Sequence, residues 1–251
     1  MHPIVVLWAV PRSTSTAFEW MMRQRGDMTC FHEPFGEAWY QGEAPLWPRA
    51  TADSLRTPGL TLRSVERMLL ETARTRPVFS KDFPHYIDTI WTDAFLAPYT
   101  HSFLIRDPAK TITSIVRNWP DVHPKELGFR EQHMLFQRLA ERGGTPPPVI
   151  DSDDLLEDPN GIVAAWCESV GIPFIERALR WEPGPRDAVS WWDGGSFHEN
   201  LRNSDGLKPQ PRRDADISSA SDHAKRLHAD VLPFYEALRE HRLKPKAGAG
   251  P

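Results

Sequence analysis

From Pro3 the chain reads PIVVLWAV, an unbroken apolar run that stops abruptly at the polar block PRSTST, Pro11 to Thr16. A short continuous run rich in β-branched residues reads as a strand buried on both faces. Directly after it, AFEWMMRQ puts Phe18, Met21 and Met22 on one helical face. The alternation then repeats. MTCFHEPF reads as a second strand running into a loop, and Gly36 to Gly59 as a long aperiodic loop. TLRSVERMLLETART is an amphipathic helix with Leu62, Val65, Leu69 and Ala73 inward, followed by strands in PVFSKDFP and THSFLIRDP. DPAKTITSIVRNW opens a helix with Asp107 as N-cap and Pro108 in the first turn. A further helix covers ELGFREQHMLFQRLAER, and PPPVIDSDDLLEDP holds a fifth strand whose acidic run, Asp151 to Asp154, reads as a solvated strand end. GIVAAWCESVG is a helix closed by Gly171, and SSASDHAKRLHADVLPFYEALREHR a last helix with Pro233 as a point of kinking. Strands alternating with helices, without internal repeats, predict an α/β fold with a central parallel β-sheet flanked by helices. In such sheets ligands sit beyond the carboxyl ends of the strands, and PRSTST occupies that position after the first strand.

Composition narrows the picture. At 251 residues the expectation is one domain over 1–243 with a disordered tail over 244–251. An apolar fraction of 40%, a charged fraction of 25% and a net charge of −4 describe a globular chain with no nucleic-acid footprint. No window is long enough to span a bilayer and no signal peptide is evident, so no membrane partner is expected. Cys30 and Cys167 suit a reducing, cytoplasmic setting better than a disulfide scaffold, and they exclude a cysteine-built metal site. Nothing in the sequence reports the oligomeric state.

Arg12, Ser13, Thr14, Ser15 and Thr16 stand where the first strand gives way to a helix. One such hydroxyl would serve as an N-cap; four behind an arginine also suit an anion held by helix N–H groups. A nucleoside-triphosphate loop of G-x-x-x-x-G-K-[ST] type is absent, since no glycine precedes Gly26 and no lysine precedes Lys81. PRSTST instead resembles the phosphosulfate loop, P-[KR]-S-G-[ST]-[ST], of sulfotransferases that use 3′-phosphoadenosine 5′-phosphosulfate (PAPS). Arg12 matches the basic position and Ser13, Ser15 and Thr16 the hydroxyl positions, while Thr14 replaces the glycine. LIRDPAKTITSIVRNW is similar to the 3′-phosphate motif of the same family, with Arg106 ending a strand and Ser114 eight positions on. Ser114 shares a helical face with Lys110 and Arg117. SDDLLEDP…WCESVGIPF resembles a third family segment, with Ser152 where tyrosine is usual. The usual R-K-G segment is not evident; Arg202 or Lys208 in FHENLRNSDGLKP could contact the 3′-phosphate, or the stretch is an ordinary polar loop.

The resemblance implies a three-layer, P-loop NTPase-like architecture. It also implies transfer of a sulfuryl group from PAPS to a hydroxyl of a small-molecule or carbohydrate acceptor, with 3′,5′-adenosine bisphosphate (PAP) as product and no metal. Arg12 would steady the leaving group, and Lys81 matches a lysine near the sulfuryl oxygens. Phe83 stands where aryl sulfotransferases carry their catalytic histidine, and His85 lies two residues on. Glu33 matches a glutamate that serves as base in other branches; its alternative role is a salt bridge steadying the loop. His32 would face away from Glu33 if the strand alternates there. The base candidates therefore rank Glu33, His85, His198. Trp39, Tyr40, Trp47, Trp191 and Trp192 either stack on an acceptor or fill the structure. A kinase with an atypical phosphate loop and a non-catalytic nucleotide-binding protein are the rival readings.

Overall fold

The computed structural model describes residues 1–47, 56–142, 144–185, 187–189, 199–212 and 214–246. Its sheet is made of β1 (Ile4–Ala9), β2 (Thr29–His32), β3 (Val78–Asp82), β4 (Tyr99–Ile105) and β5 (Val149–Asp151), all parallel, in the order β2-β3-β1-β4-β5. The helices are α1 (Ser15–Arg25), α2 (Pro34–Gln41), α3 (Leu62–Thr72), α4 (Asp93–Leu96), α5 (Pro108–Ile115) and α6 (Pro124–Leu127). They continue as α7 (Phe129–Glu141), α8 (Ser152–Glu157), α9 (Pro159–Val170), α10 (Glu199–Arg202) and α11 (Asp222–Arg239). No helix among the described residues is long and apolar enough to cross a membrane.

Every residue of β1 is fully buried, as an unbroken apolar run in a central strand requires. The register Val5↔Phe79 and His32↔Lys81 puts these four side chains on one face of the sheet. There Phe18 of α1 and Trp166 of α9 meet edge-on at 4.8 Å above Phe79. The opposite face carries Trp8, His101 and Phe103, the last packed edge-on against Phe136 of α7 at 5.5 Å. α11 packs against α7 and α5 and reaches β4 and β5, where Tyr235 OH donates to Asp151 Oδ2 at 3.0 Å. The parallel sheet flanked by helices that the alternation predicts is present.

Four local readings change. Gly36–Gln41, expected in a loop, belong to α2: Pro34 starts the helix, and Phe35, Ala38 and Trp39 bury at helical spacing within a single eight-residue element. The helix expected over ELGFREQHMLFQRLAER is two, divided at Gly128 (φ 68), where a Cβ would come within 2.4 Å of His85 Nδ1. α5 stops at Ile115, so Arg117 lies beyond the helix that carries Ser114. The acidic run is not a solvated strand end: Asp151 is buried and caps α8 by accepting from Asp153 N at 2.8 Å. In the expected tail, Lys246 N donates to Gly161 O at 3.2 Å, and 247–251 lie outside the described residues.

At the carboxyl ends of β1 and β4, fully buried Gln132 of α7 donates through Nε2 to Trp8 O (2.9 Å) and Leu104 O (3.0 Å). One amide thus satisfies two buried carbonyls at the centre of the sheet. Gln132→Leu strands both acceptors, and urea unfolding should register a loss of about 1–3 kcal/mol.

Candidate active site

A cavity of about 330 Å³ opens at the carboxyl ends of the strands. Its floor is Pro11 to Ala17, joining β1 to α1; Arg106 at the end of β4 and Glu33 at the end of β2 form two sides. The central position of β1, between β3 and β4, makes these strand ends converge.

The only non-glycine residues with positive φ among those described are Arg12 (61°), Thr14 (72°) and Glu33 (44°), and all three line this cavity. Such conformations cost about 1–3 kcal/mol each and persist where surrounding contacts impose them. Thr14 is the N-cap of α1 yet makes no side-chain capping bond, so the helix N-terminus is left to the cavity. Ser13 Oγ turns back to Val10 O at 2.6 Å. Ser15 and Thr16 line the cavity as expected of the hydroxyl positions.

The two anion-binding segments predicted from sequence meet in space. Arg106 Nη1 donates to the carbonyl of Arg12, and Arg12 Nε donates to Ser114 Oγ at 3.0 Å. Arg106 makes no ion pair among the described residues; burial pulls its guanidinium below the ordinary value, opposed by the more distant Asp153 and Asp107. A largely buried cation without a carboxylate partner is suited to receive an anion. Lys110 is committed elsewhere, to Asp153 at 2.6 Å. Arg202 and Lys208 do not line the cavity; Lys208 pairs with Asp205 on the surface at 2.6 Å. Leu156, Leu201 and Leu207 supply an apolar stretch of wall beside α8.

The acid–base candidates separate clearly. Glu33 faces the cavity, held by Lys81 Nζ at Oε1 and by the Tyr86 hydroxyl, which donates to Oε2 at 3.2 Å. Lys81 is fully buried behind Glu33 and does not line the cavity, so its contact with the site is through that carboxylate rather than directly through a substrate oxygen. Its charge makes burial tolerable only as part of such a pair. Burial raises Tyr86 well above the usual phenol range, with Glu33 adding to the effect, so Tyr86 remains a donor. His85, the second base candidate, does not reach the cavity. It is fully buried between Phe83, Tyr86 and Trp39, and burial lowers it to about 3. His198, Trp191 and Trp192 lie outside the described residues. Trp39 is core, stacked on Trp47 at 6.0 Å; Tyr40 does line the cavity.

Sequence reasoning missed several wall residues. His32 was expected to point away from Glu33, but the left-handed backbone at Glu33 breaks the alternation, and His32 Nε2 lies 4.0 Å from Glu33 Oε1. Phe83, Tyr86, Trp119 and Glu126 join Tyr40 around the mouth beyond Glu33, with Tyr40 OH donating to Glu126 Oε1 at 3.4 Å. They come from α2, the segment after β3, the loop after α5 and the short α6, none of which carries a periodic signal that marks them.

Comparison with known proteins bears on this arrangement. A family model described as a sulfotransferase domain matches residues 3–242. Branched-chain-amino-acid aminotransferase-like protein 2 of Arabidopsis thaliana is 25% identical over 249 residues, 95% of this chain but 42% of its own length. The chain therefore spans less than half of that curated relative. Among solved structures, the sulfotransferase domain of the Synechococcus PCC 7002 olefin synthase superposes with a TM-score of 0.55 at 16% identity, covering 95% of this chain and 94% of its own. The sulfotransferase domain from the curacin biosynthetic pathway gives 0.52 at 15% identity, covering 92% and 98%. These structural likenesses establish the shared fold.

The state of His85 sets a pH dependence. Unfolded, the imidazole takes up a proton as pH falls below 6.5, whereas the folded protein resists until about 3. The unfolded state binds more protons in that window, so stability drops as pH falls through it, by up to about 1.4 kcal/mol per unit. His101, lowered to about 4 by burial, adds in the same direction. His85→Leu should flatten the slope between pH 6 and 4 by about one proton in denaturation series while leaving ligand binding at the cavity unchanged.

Proposed function

The chain belongs to the sulfotransferase domain family, and from that premise we propose that it moves the sulfuryl group of PAPS onto a hydroxyl of a small-molecule or carbohydrate acceptor. The observation that carries this reading is the Arg106–Arg12–Ser114 tie, which brings both segments of the donor motif to one crevice. The donor would lie along the open N-terminus of α1, its phosphosulfate against Arg12 to Thr16 and its 3′-phosphate beside Arg106 and Ser114. Bound there, PAPS supplies an activated sulfur: the acceptor oxygen–sulfur bond forms as the bond from sulfur to the 5′-phosphate oxygen breaks. The protein's part is positioning and electrostatics. Arg12 stabilises the charge gathering on the leaving phosphate. Glu33 takes the proton of the acceptor hydroxyl, and Lys81 and Tyr86 hold that carboxylate in place. The acceptor enters past Tyr40, Phe83, Tyr86 and Trp119, aromatic surfaces suited to a sugar or aryl ring. Cys30 and Cys167 are both free thiols, which suits our assignment to the cytoplasm.

Thermal unfolding with PAP and with ATP–magnesium tests the donor. PAP at a hundred times its Kd should add about 2.7 kcal/mol of stability and ATP–magnesium none; the reverse result would indicate a kinase. Arg106→Ala should abolish the PAP effect. Glu33→Gln should keep PAP binding and slow transfer from labelled PAPS by about 10²-fold or more, whereas unchanged transfer removes Glu33 as the base.

A further inference from the structure

His32 is not accounted for by the transfer scheme above, yet its surroundings are those of a working imidazole. Glu19 of α1 is fully buried, and its Oε2 lies 2.6 Å from His32 Nδ1, while Arg23 holds Oε1 at 2.8 Å. Burial raises Glu19 while the positive charges of His32 (when protonated), Lys81 and Arg23 lower it, leaving the group below its ordinary value; the Arg23 contact favours the carboxylate in either state of the ring. An ionised carboxylate only accepts hydrogen bonds, so Nδ1 must carry the proton. The other ring nitrogen, Nε2, lies on the cavity side, 4.0 Å from Glu33 Oε1. A buried carboxylate on one ring nitrogen, with the other directed at the reacting region, is the arrangement of a carboxylate–histidine pair. The charged groups around the ring are Glu19 and Arg23 from α1, Lys81 from β3 and Glu33.

We infer that Glu19 and His32 form a proton relay behind Glu33: the acceptor's proton passes from the hydroxyl to the Glu33 carboxylate and on to His32 Nε2. This rests on the transfer reading above. The transfer balances: Glu33 returns to its carboxylate, His32 becomes an imidazolium carrying the one proton lost by the hydroxyl, and Glu19 neutralises the new charge without being protonated. The ring gives the proton to solvent when the product leaves. A movement of about 1 Å, or one bridging water, closes the gap to hydrogen-bond distance. His32 acts through Glu33 and is a positioning residue in this scheme.

The test has two arms. Long-range nitrogen NMR on protein labelled at histidine, with and without PAP, should show His32 as the Nδ1–H tautomer and should show that preference weakened in Glu19→Gln. An Nε2–H ring, or a tautomer indifferent to Glu19→Gln, overturns the relay whatever the enzyme's activity. Release of PAP from PAPS, with water as acceptor, should fall at least tenfold in kcat in both His32→Gln and Glu19→Gln, with the KM for PAPS and the PAP thermal shift within twofold of the parent. Turnover within twofold in both variants overturns the relay and leaves Glu33 acting alone. Should the parent protein bind PAP but release none from PAPS, the transfer reading has failed rather than the dyad, and the tautomer result alone then decides the dyad.

Discussion

The site depends on one hydrogen bond, from the Arg106 guanidinium to the carbonyl of Arg12. It joins the end of β4 to the loop that leaves β1, and it is possible because those strands are neighbours in a parallel sheet. With Arg12 Nε on Ser114 Oγ, residues 102 positions apart in sequence become one binding surface. The tie also sets the charge balance. Arg106 is largely buried with a carbonyl, not a carboxylate, as its partner, so the site carries a cation that an anionic ligand would neutralise. The strained backbone at Arg12 and Thr14 belongs to the same arrangement, since it opens the N-terminus of α1 toward that charge.

On the other side of the cavity a second network fixes Glu33. Lys81, fully buried on β3, meets Oε1, and Tyr86 meets Oε2. Asp82, on the opposite face of β3, accepts from Phe35 N at 3.1 Å and from Ser80 Oγ at 2.8 Å, anchoring the start of α2 just beyond Glu33. Burial pushes Asp82 well above the usual carboxylate range, with the hydrogen bond from Ser80 opposing and Glu33 reinforcing the rise. The backbone at Glu33 is therefore pinned from both flanks, and its left-handed conformation is the result. That single residue turns the chain from strand into helix and brings His32 and Glu33 toward the same space. The two halves of the site differ in kind: one is built around the cations Arg12 and Arg106, the other around a carboxylate already supplied with donors.

What the sequence disclosed follows from how local each signal is. β1 is visible because this central strand is apolar at every position, and PRSTST and LIRDP because each is a contiguous word at a strand end. Helix α2 escaped because PFGEAWY mixes proline and glycine with its apolar residues, and eight residues are too few to establish a period. His32 was misplaced by the alternation rule, which holds only while the backbone stays extended, and φ at Glu33 is 44°. His85 looked available because its neighbours in sequence are polar and aromatic. Its burial is made by Trp39 and Gly128, which are remote along the chain. Glu126 and Trp119 reach the cavity wall only through tertiary packing, so no word in the sequence could announce them.

The two departures from the familiar motifs, Thr14 for glycine and Ser152 for tyrosine, prove to be one structural change. Thr14 Oγ1 and Ser152 Oγ lie 2.8 Å apart, and Ser152 is fully buried at the first turn of α8. A β-branched residue at φ 72° carries a strain of about 1–3 kcal/mol. The hydroxyl pair returns about 1 kcal/mol of that and ties the loop to α8. Glycine at 14 would remove the strain but leave the buried Ser152 hydroxyl without this partner. Tyrosine at 152 would carry its hydroxyl at the far end of a ring, away from Thr14. Neither familiar residue substitutes singly without disturbing the other position, so the pair is coupled and its effects on stability are not additive. In this chain the loop between β1 and α1 is held in shape by a contact that the short-motif pattern does not contain.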